Sequence, residues 1–261
     1  MTASHAPDRL ADLASKVPAV TLSFWVIKIL ATTLGETGGD LLSMTLNLGY
    51  ALSTGIFMVV FVVAVITQIR MRRFHPFVYW GVILATTLAG TTLSDYLDRT
   101  AGLGYLAGSA LLISLLIATL AAWRLTLGSI SSDHISDPKA EAFYWVTILF
   151  SNTLGTALGD FLADSSGLGY QGGALLIAGL LAVVAIAYFR SNASRVLLFW
   201  LAFVLTRPLG ATVGDLLTKT HEKGGLALGT VVASLTIGVV LAALIVVSHR
   251  RRPARSPAAP L

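Results

Sequence analysis

Eight stretches of this chain, at about residues 21–44, 48–69, 77–97, 103–125, 143–162, 168–188, 196–217 and 226–247, are apolar over a length close to the roughly 20 residues a helix needs to cross a bilayer core. Lipid offers no partner for backbone N–H and C=O groups, so a spanning segment must pair them internally. Alternating strand patterns are absent, which leaves helices rather than barrel strands. Charged residues make up only 12% of the 261, half the roughly 25% of an ordinary globular chain. The expected fold class is an all-α membrane protein with eight transmembrane helices.

The net charge of +5 is distributed in a way that fixes an expected topology. Basic clusters follow span 2 (Arg70, Arg72, Arg73), span 6 (Arg190, Arg195) and span 8 (Arg250, Arg251, Arg252, Arg255). Those connections share one side, and the positive-inside rule makes that side, with both termini, cytoplasmic. The arginines read as topogenic anchors, not as a nucleic-acid footprint. Five segments are expected: a cytoplasmic stretch at 1–20, a first half at 21–127, a polar linker at 128–142, a second half at 143–248, and a basic, Pro/Ala-rich, disordered tail at 249–261. The first 20 residues lack a signal peptide's apolar core and cleavage site, so the first span is expected to be retained.

A repeat runs through the spans. Trp25, Trp80, Trp145 and Trp200 each stand near the start of an odd-numbered span. Ten residues on come Gly35, Gly90, Gly155 and Gly210; fifteen on come Asp40, Asp95, Asp160 and Asp215; twenty-four on come Gly49, Gly104, Gly169 and Gly224. Tyr50, Tyr105 and Tyr170 follow the last set, and Gly225 breaks that pattern in the fourth copy. The tryptophans are 55, 65 and 55 residues apart, as expected if a two-helix hairpin was duplicated and the product duplicated again. Each unit has two spans, so all four copies share one orientation about an axis along the membrane normal.

Four two-span repeats, each with a tryptophan and a G-x-x-x-[GS]-D ending, resemble a bacterial family of membrane proteins of unknown function. The resemblance covers about residues 22–247. It implies the same helical architecture and a multi-pass place in the bacterial cytoplasmic (inner) membrane, and it carries over no catalytic or binding residue.

Residues four apart share a helix face. One face of each odd helix is small: Ala31, Gly35, Gly39; Thr86, Gly90, Ser94; Ser151, Gly155, Gly159; Thr206, Gly210, Gly214. Such faces let helices approach closely in lipid, so these glycines read as packing residues. The adjoining face is polar: Lys28, Thr32, Glu36, Asp40; Thr87, Thr91, Asp95; Asn152, Thr156, Asp160; Arg207, Ala211, Asp215. A charge facing lipid at mid-bilayer costs at least about 2.5–3.5 kcal/mol. The odd helices are therefore expected inside and the apolar even helices outside. Lys28, Glu36 and Arg207, which break the symmetry, are candidates for a site or for an internal ion pair, and Pro208 predicts a kink beside the last.

With tryptophan at the cytoplasmic interface, fifteen residues of about 1.5 Å each carry the aspartates roughly 22 Å along a core about 30 Å thick. Asp98, Arg99, Asp164 and Lys219 then mark the outer water boundary. Carboxylates near helix C-termini oppose the helix dipole, so they need a bound cation, a proton or hydrogen-bond donors. A plainer alternative is that each aspartate bonds backbone amides of the following turn.

The sequence contains no cysteine, which excludes disulfides and thiolate metal sites. His5, His75, His134, His221 and His249 lie in termini or connections and form no zinc-binding pair at helical spacing. There is no phosphate loop and no nucleophile elbow, so an enzyme is not expected. Eight residues between Asp40 and Gly49 are too few for a pore helix and filter. The oxygen-only stripe suits protons or a hard cation such as Mg²⁺, Mn²⁺ or Na⁺, with the four aspartates as metal candidates and no other cofactor. The expected function is a transporter or channel for such an ion, with the lipid bilayer and a small ion or solute as partners and self-association left open. The alternative is a non-transporting scaffold or stress-related structural membrane protein.

Overall fold

In the computed structural model, the structure describes residues 18, 20–71, 74–130 and 137–250. Most of the N-terminal segment, Arg72, Arg73, His134 and the tail from Arg251 fall outside them. Among the described residues there are eight α-helices and no strands. They are α1 (Leu22–Asp40), α2 (Tyr50–Arg70), α3 (Pro76–Asp95), α4 (Gly104–Leu127), α5 (Pro138–Asp160), α6 (Gly169–Arg190), α7 (Arg195–Thr218) and α8 (Thr230–Arg250). Seven are long and apolar enough to cross a membrane. The other, α1, carries Lys28, Glu36 and Asp40 within 19 residues.

Helix starts follow local chemistry. The Thr21 hydroxyl accepts from the Phe24 N–H at the start of α1, and Ser194 does the same for Leu197 at α7. Pro76 and Pro138 open α3 and α5, where a missing N–H costs no helical bond. Helix α5 thus begins inside the segment read from sequence as linker. Glycines enter the first three even helices where side chains are disfavoured, Gly49, Gly104 and Gly169 having φ of 76°, 68° and 64°, while Gly224 (φ 80°) ends the turn His221–Lys223 ahead of α8. In the first three repeats the odd helix runs on past its aspartate into a wider π-helical turn, Leu41–Thr45, Tyr96–Thr100 and Phe161–Ser165. The fourth has a 3₁₀ turn at His221–Lys223 instead. Pro208 lies within a continuous α7.

The four odd helices form a closed ring in which α1 packs on α3, α3 on α5, α5 on α7 and α7 on α1. Burial separates the layers: 50–67% of the most apolar window of α3, α5 and α7 is buried, against 11–28% for the even helices. Each even helix packs chiefly along the odd helix of the next repeat and not along its own, α2 on α3, α4 on α5, α6 on α7, and α8 back onto α1. The repeat is therefore an open hook completed by its neighbour.

The small faces of the odd helices interlock in order around the ring. A Cβ on Gly35 would overlap Thr87, one on Gly155 would overlap Arg207, and one on Gly210 would overlap Thr32. On Gly90 it would lie 3.0 Å from the Thr153 nitrogen. One turn on, Cβ atoms at Gly39, Gly159 and Gly214 would come within 2.8 Å of Thr91, Ala211 and Glu36 respectively. Close approach also lets hydroxyls reach across: Thr87 donates to the Ala31 carbonyl (3.2 Å), Thr91 to Gly35 (3.1 Å) and Thr32 to Thr206 (3.1 Å).

Candidate functional site

Because the polar stripe repeats every four residues, the ring stacks it into levels. At the tryptophan end Tyr79 and Tyr144, both fully buried, share a hydrogen bond of 2.8 Å between their hydroxyls. Phe24 and Phe199 hold the matching places on α1 and α7, with ring centroids 6.5 Å apart. One turn on stands Lys28, with its matching positions Ile83, Ile148 and Phe203 fully buried. Its ammonium lies 4.1 Å from the Phe203 ring centroid and has no hydrogen-bond partner among the described residues.

The next level holds Thr32, Thr87, Asn152 and Arg207. Asn152 donates to the Thr86 hydroxyl at 2.8 Å. Arg207, fully buried, extends into the level above, where the matching residues are Glu36, Thr91, Thr156 and Ala211. Its Nη2 lies 2.8 Å from Glu36 Oε2 and 2.6 Å from the Thr156 hydroxyl, and also donates to Thr91. The guanidinium thus meets the side chain that each of the other three repeats offers at that level. Alanine at the fourth position leaves room for it. Of the two cations expected as candidates for an internal ion pair, Arg207 forms one with Glu36, while Lys28 makes none among the described residues.

Above Arg207 lie the aspartates. The plainer reading of them, as caps on the following turn, does not describe Asp40, Asp95 or Asp160, whose side chains make no cap hydrogen bond. They are paired through two cations, Arg99 and Lys219, whose place just past an apolar span marks them in the sequence only as the edge of the membrane. Arg99 lies 3.3 Å from Asp95 and 2.9 Å from Asp160; Lys219 lies 3.1 Å from Asp215 and 2.6 Å from Asp40. Both cations stand four residues past an aspartate, one helical turn, and that spacing was the available signal. The other two repeats carry Met44 and Asp164 at this position. Around Arg99 the repeated tyrosines find a place: Tyr50 and Tyr105 each accept from it at 3.1 Å, and Tyr105 donates to Asp164 at 2.9 Å.

Burial opposes the charge on Lys219, but the carboxylates of Asp215 and Asp40 outweigh it and hold its pKa above that of an ordinary lysine. Glu36, Asp160 and Asp215 each bring one carboxylate oxygen to within 4.8 Å of the others. The Asp160 Oδ1 accepts no hydrogen bond among the described residues. Hard cations bind carboxylate oxygens at about 2.0–2.6 Å, so three such oxygens can share one ion.

At the tryptophan end two apolar clefts flank the start of α1. One, of about 540 Å³, is bounded by Phe24 and Ile27 of α1, Trp80 of α3 and Leu244 of α8; the other, of about 520 Å³, by Trp25, Leu181 of α6 and Phe199.

Interlocking glycine faces, apolar outer helices and an ionisable axis define a multi-pass, membrane-type helical repeat protein. The chain belongs to the family described as Repeat of Unknown Function (DUF347), whose model matches four times, at residues 23–74, 78–128, 143–194 and 198–253. No curated protein and no solved structure matches the chain.

Proposed function

We propose that this protein is a membrane transporter that moves a hard cation, such as a divalent metal, or protons through the axis of the odd-helix ring. The observation that carries the reading is the charge balance of the axial cluster. Asp40, Asp95, Asp160, Asp215 and Glu36 are all buried, and three cations, Arg99, Lys219 and Arg207, pair with them. Within these ion pairs two negative charges remain unmatched, Lys28 standing apart from them beside Phe203, in surroundings where each costs several kcal/mol. A bound divalent cation, or two monovalent ions or protons, would balance them. The converging oxygens of Glu36, Asp160 and Asp215 give the ion its place, and Arg207 acts as an internal cation that closes the axis beneath it. The clustered basic residues support a bacterial inner-membrane protein with both termini in the cytoplasm, its ion entering from the opposite, aspartate side. No catalytic role is assigned.

Reconstitution tests this. In proteoliposomes the wild-type protein should carry Mg²⁺, Mn²⁺, Na⁺ or H⁺ down an imposed gradient, and Asp160→Asn should abolish the flux without unfolding the protein. A second reading, a non-transporting scaffold, draws support from the filling of the axis by Arg207 and the Tyr79–Tyr144 level. It prevails if folded wild-type protein moves none of these ions.

A further inference from the structure

The two halves of the sequence are not the two bodies that the interactions define. Every ion pair between helices formed by described residues joins α3 to α5 or α7 to α1: Arg99 reaches Asp160 and Asp164, while Lys219 reaches Asp40 and Arg207 reaches Glu36. At the aromatic level only the Tyr79–Tyr144 hydrogen bond follows this division; ring contacts run within and across the pairs, Phe24 lying 6.5 Å from Phe199 and 5.4 Å from Trp80. Outer helices follow their inner partners, α2 and α4 with α3 and α5, α6 and α8 with α7 and α1.

We infer that the moving units of transport are α2–α5 on one side and α6–α8 together with α1 on the other, hinged at the turns Leu41–Thr45 and Phe161–Ser165. The inference rests on the transport reading above. The chain passes between these units only at those two turns, α1 to α2 and α5 to α6, both at the aspartate end. They are 120 residues apart, the spacing of the larger duplication. Both are π-helical, a form common at functional irregularities. At the position where Arg99 and Lys219 pin the other two connections, they carry Met44 and Asp164.

The seams α1/α3 and α5/α7 are held by lighter contacts. Beside the glycine faces at Gly35 and Gly155, these include the hydroxyl bonds of Thr87 and Thr91, the contacts of Arg207 with Thr91 and Thr156, the Trp200 indole on the Ile130 carbonyl, and the ring contacts of Phe24 with Trp80 and of Tyr144 with Trp200, none of them an ion pair. Opening at the tryptophan end would break these and keep every ion pair, Arg207 staying with Glu36. The cleft bounded by Phe24, Trp80 and Leu244 already lies along the α1/α3 seam at that end.

The chain has no cysteine, so introduced ones can be spin-labelled alone. Leu22, Phe77, Lys139 and Phe189 are exposed at the tryptophan end, on α1, α3, α5 and α6. Three double variants in liposomes, L22C/F77C, F77C/K139C and L22C/F189C, would be measured by electron paramagnetic resonance across gradients of pH and of Mg²⁺, Mn²⁺ and Na⁺. The L22C/F77C distance, within one sequence half but across the bodies, should shift or split. The other two, across sequence halves but within a body, should stay single. The inference is overturned if F77C/K139C changes while L22C/F77C stays fixed, or if all three stay fixed. Ion flux measured on the same liposomes tells failure of this division from failure of the transport reading.

Discussion

Arg207 of α7 places its guanidinium 2.8 Å from the carboxylate of Glu36 on α1, and neither side chain is more than 4% exposed. Partners removed from water to this degree depend on each other. Removing one leaves the other charged and buried, at a cost of about 3–5 kcal/mol. Glu36→Gln and Arg207→Met should each lower unfolding stability in detergent by about that amount, and the double variant should recover part of the loss. Purely additive losses would show that the pair is not coupled.

The glycines of the ring should be far less tolerant than those outside it. Gly155→Ala drives a methyl group into Arg207 and should cost about 1–3 kcal/mol by overpacking. Gly55 of α2 has nothing within 4 Å of its added Cβ, so Gly55→Ala should gain about 0.5–1 kcal/mol of helix propensity. Thermal unfolding of the two variants side by side reads the difference.

Lys219 gives a pH signature. Its pKa is raised on folding by Asp215 and Asp40, against the opposing effect of burial. A raised pKa contributes stability that is complete below the unfolded lysine value of about 10.4 and fades only as pH climbs through the higher folded value. The stability gap between wild type and Lys219→Met should therefore stay level from neutral pH to about pH 10 and narrow only beyond it. A gap that closes below that point would contradict the paired geometry.

The outer layer closes where α8 packs on α1, and Ser248 there lies 3.5 Å from Ser23. A circular permutant with α8 linked to α1 and new ends between Leu46 and Gly49 should fold and melt close to wild type. Aggregation of that permutant would mean that continuity at the first π-turn is needed for assembly.

Layering was legible in the sequence because period and polarity state it directly. The stripe Lys28, Thr32, Glu36, Asp40 can face only inward, and the glycine face beside it calls for a close neighbour. Which neighbour was not legible. Gly35 could meet any small or hydroxyl-bearing face, and only the assembled ring assigns it Thr87. The same holds for the outer helices, whose uniform apolar faces carry no mark of the odd helix they cover. Arg99 and Lys219 were missed for another reason: a charge just past an apolar span reads as the edge of the membrane. Four-residue spacing from Asp95 and Asp215 would have turned both back toward the axis.

The order in which the chain is made runs against the order in which the ring is satisfied. Helix α1 leaves the ribosome before the other described helices, carrying Lys28, Glu36 and Asp40. The Arg207 and Lys219 that pair with two of these, and the α8 that covers the helix, follow it by six or more helices. For most of translation the first helix is an unfinished element held for a partner more than 160 residues away. A chain cut short after α6 keeps α1 without the counter-charges of α7 or the cover of α8, so the state of the first described helix reports whether the last two are in place.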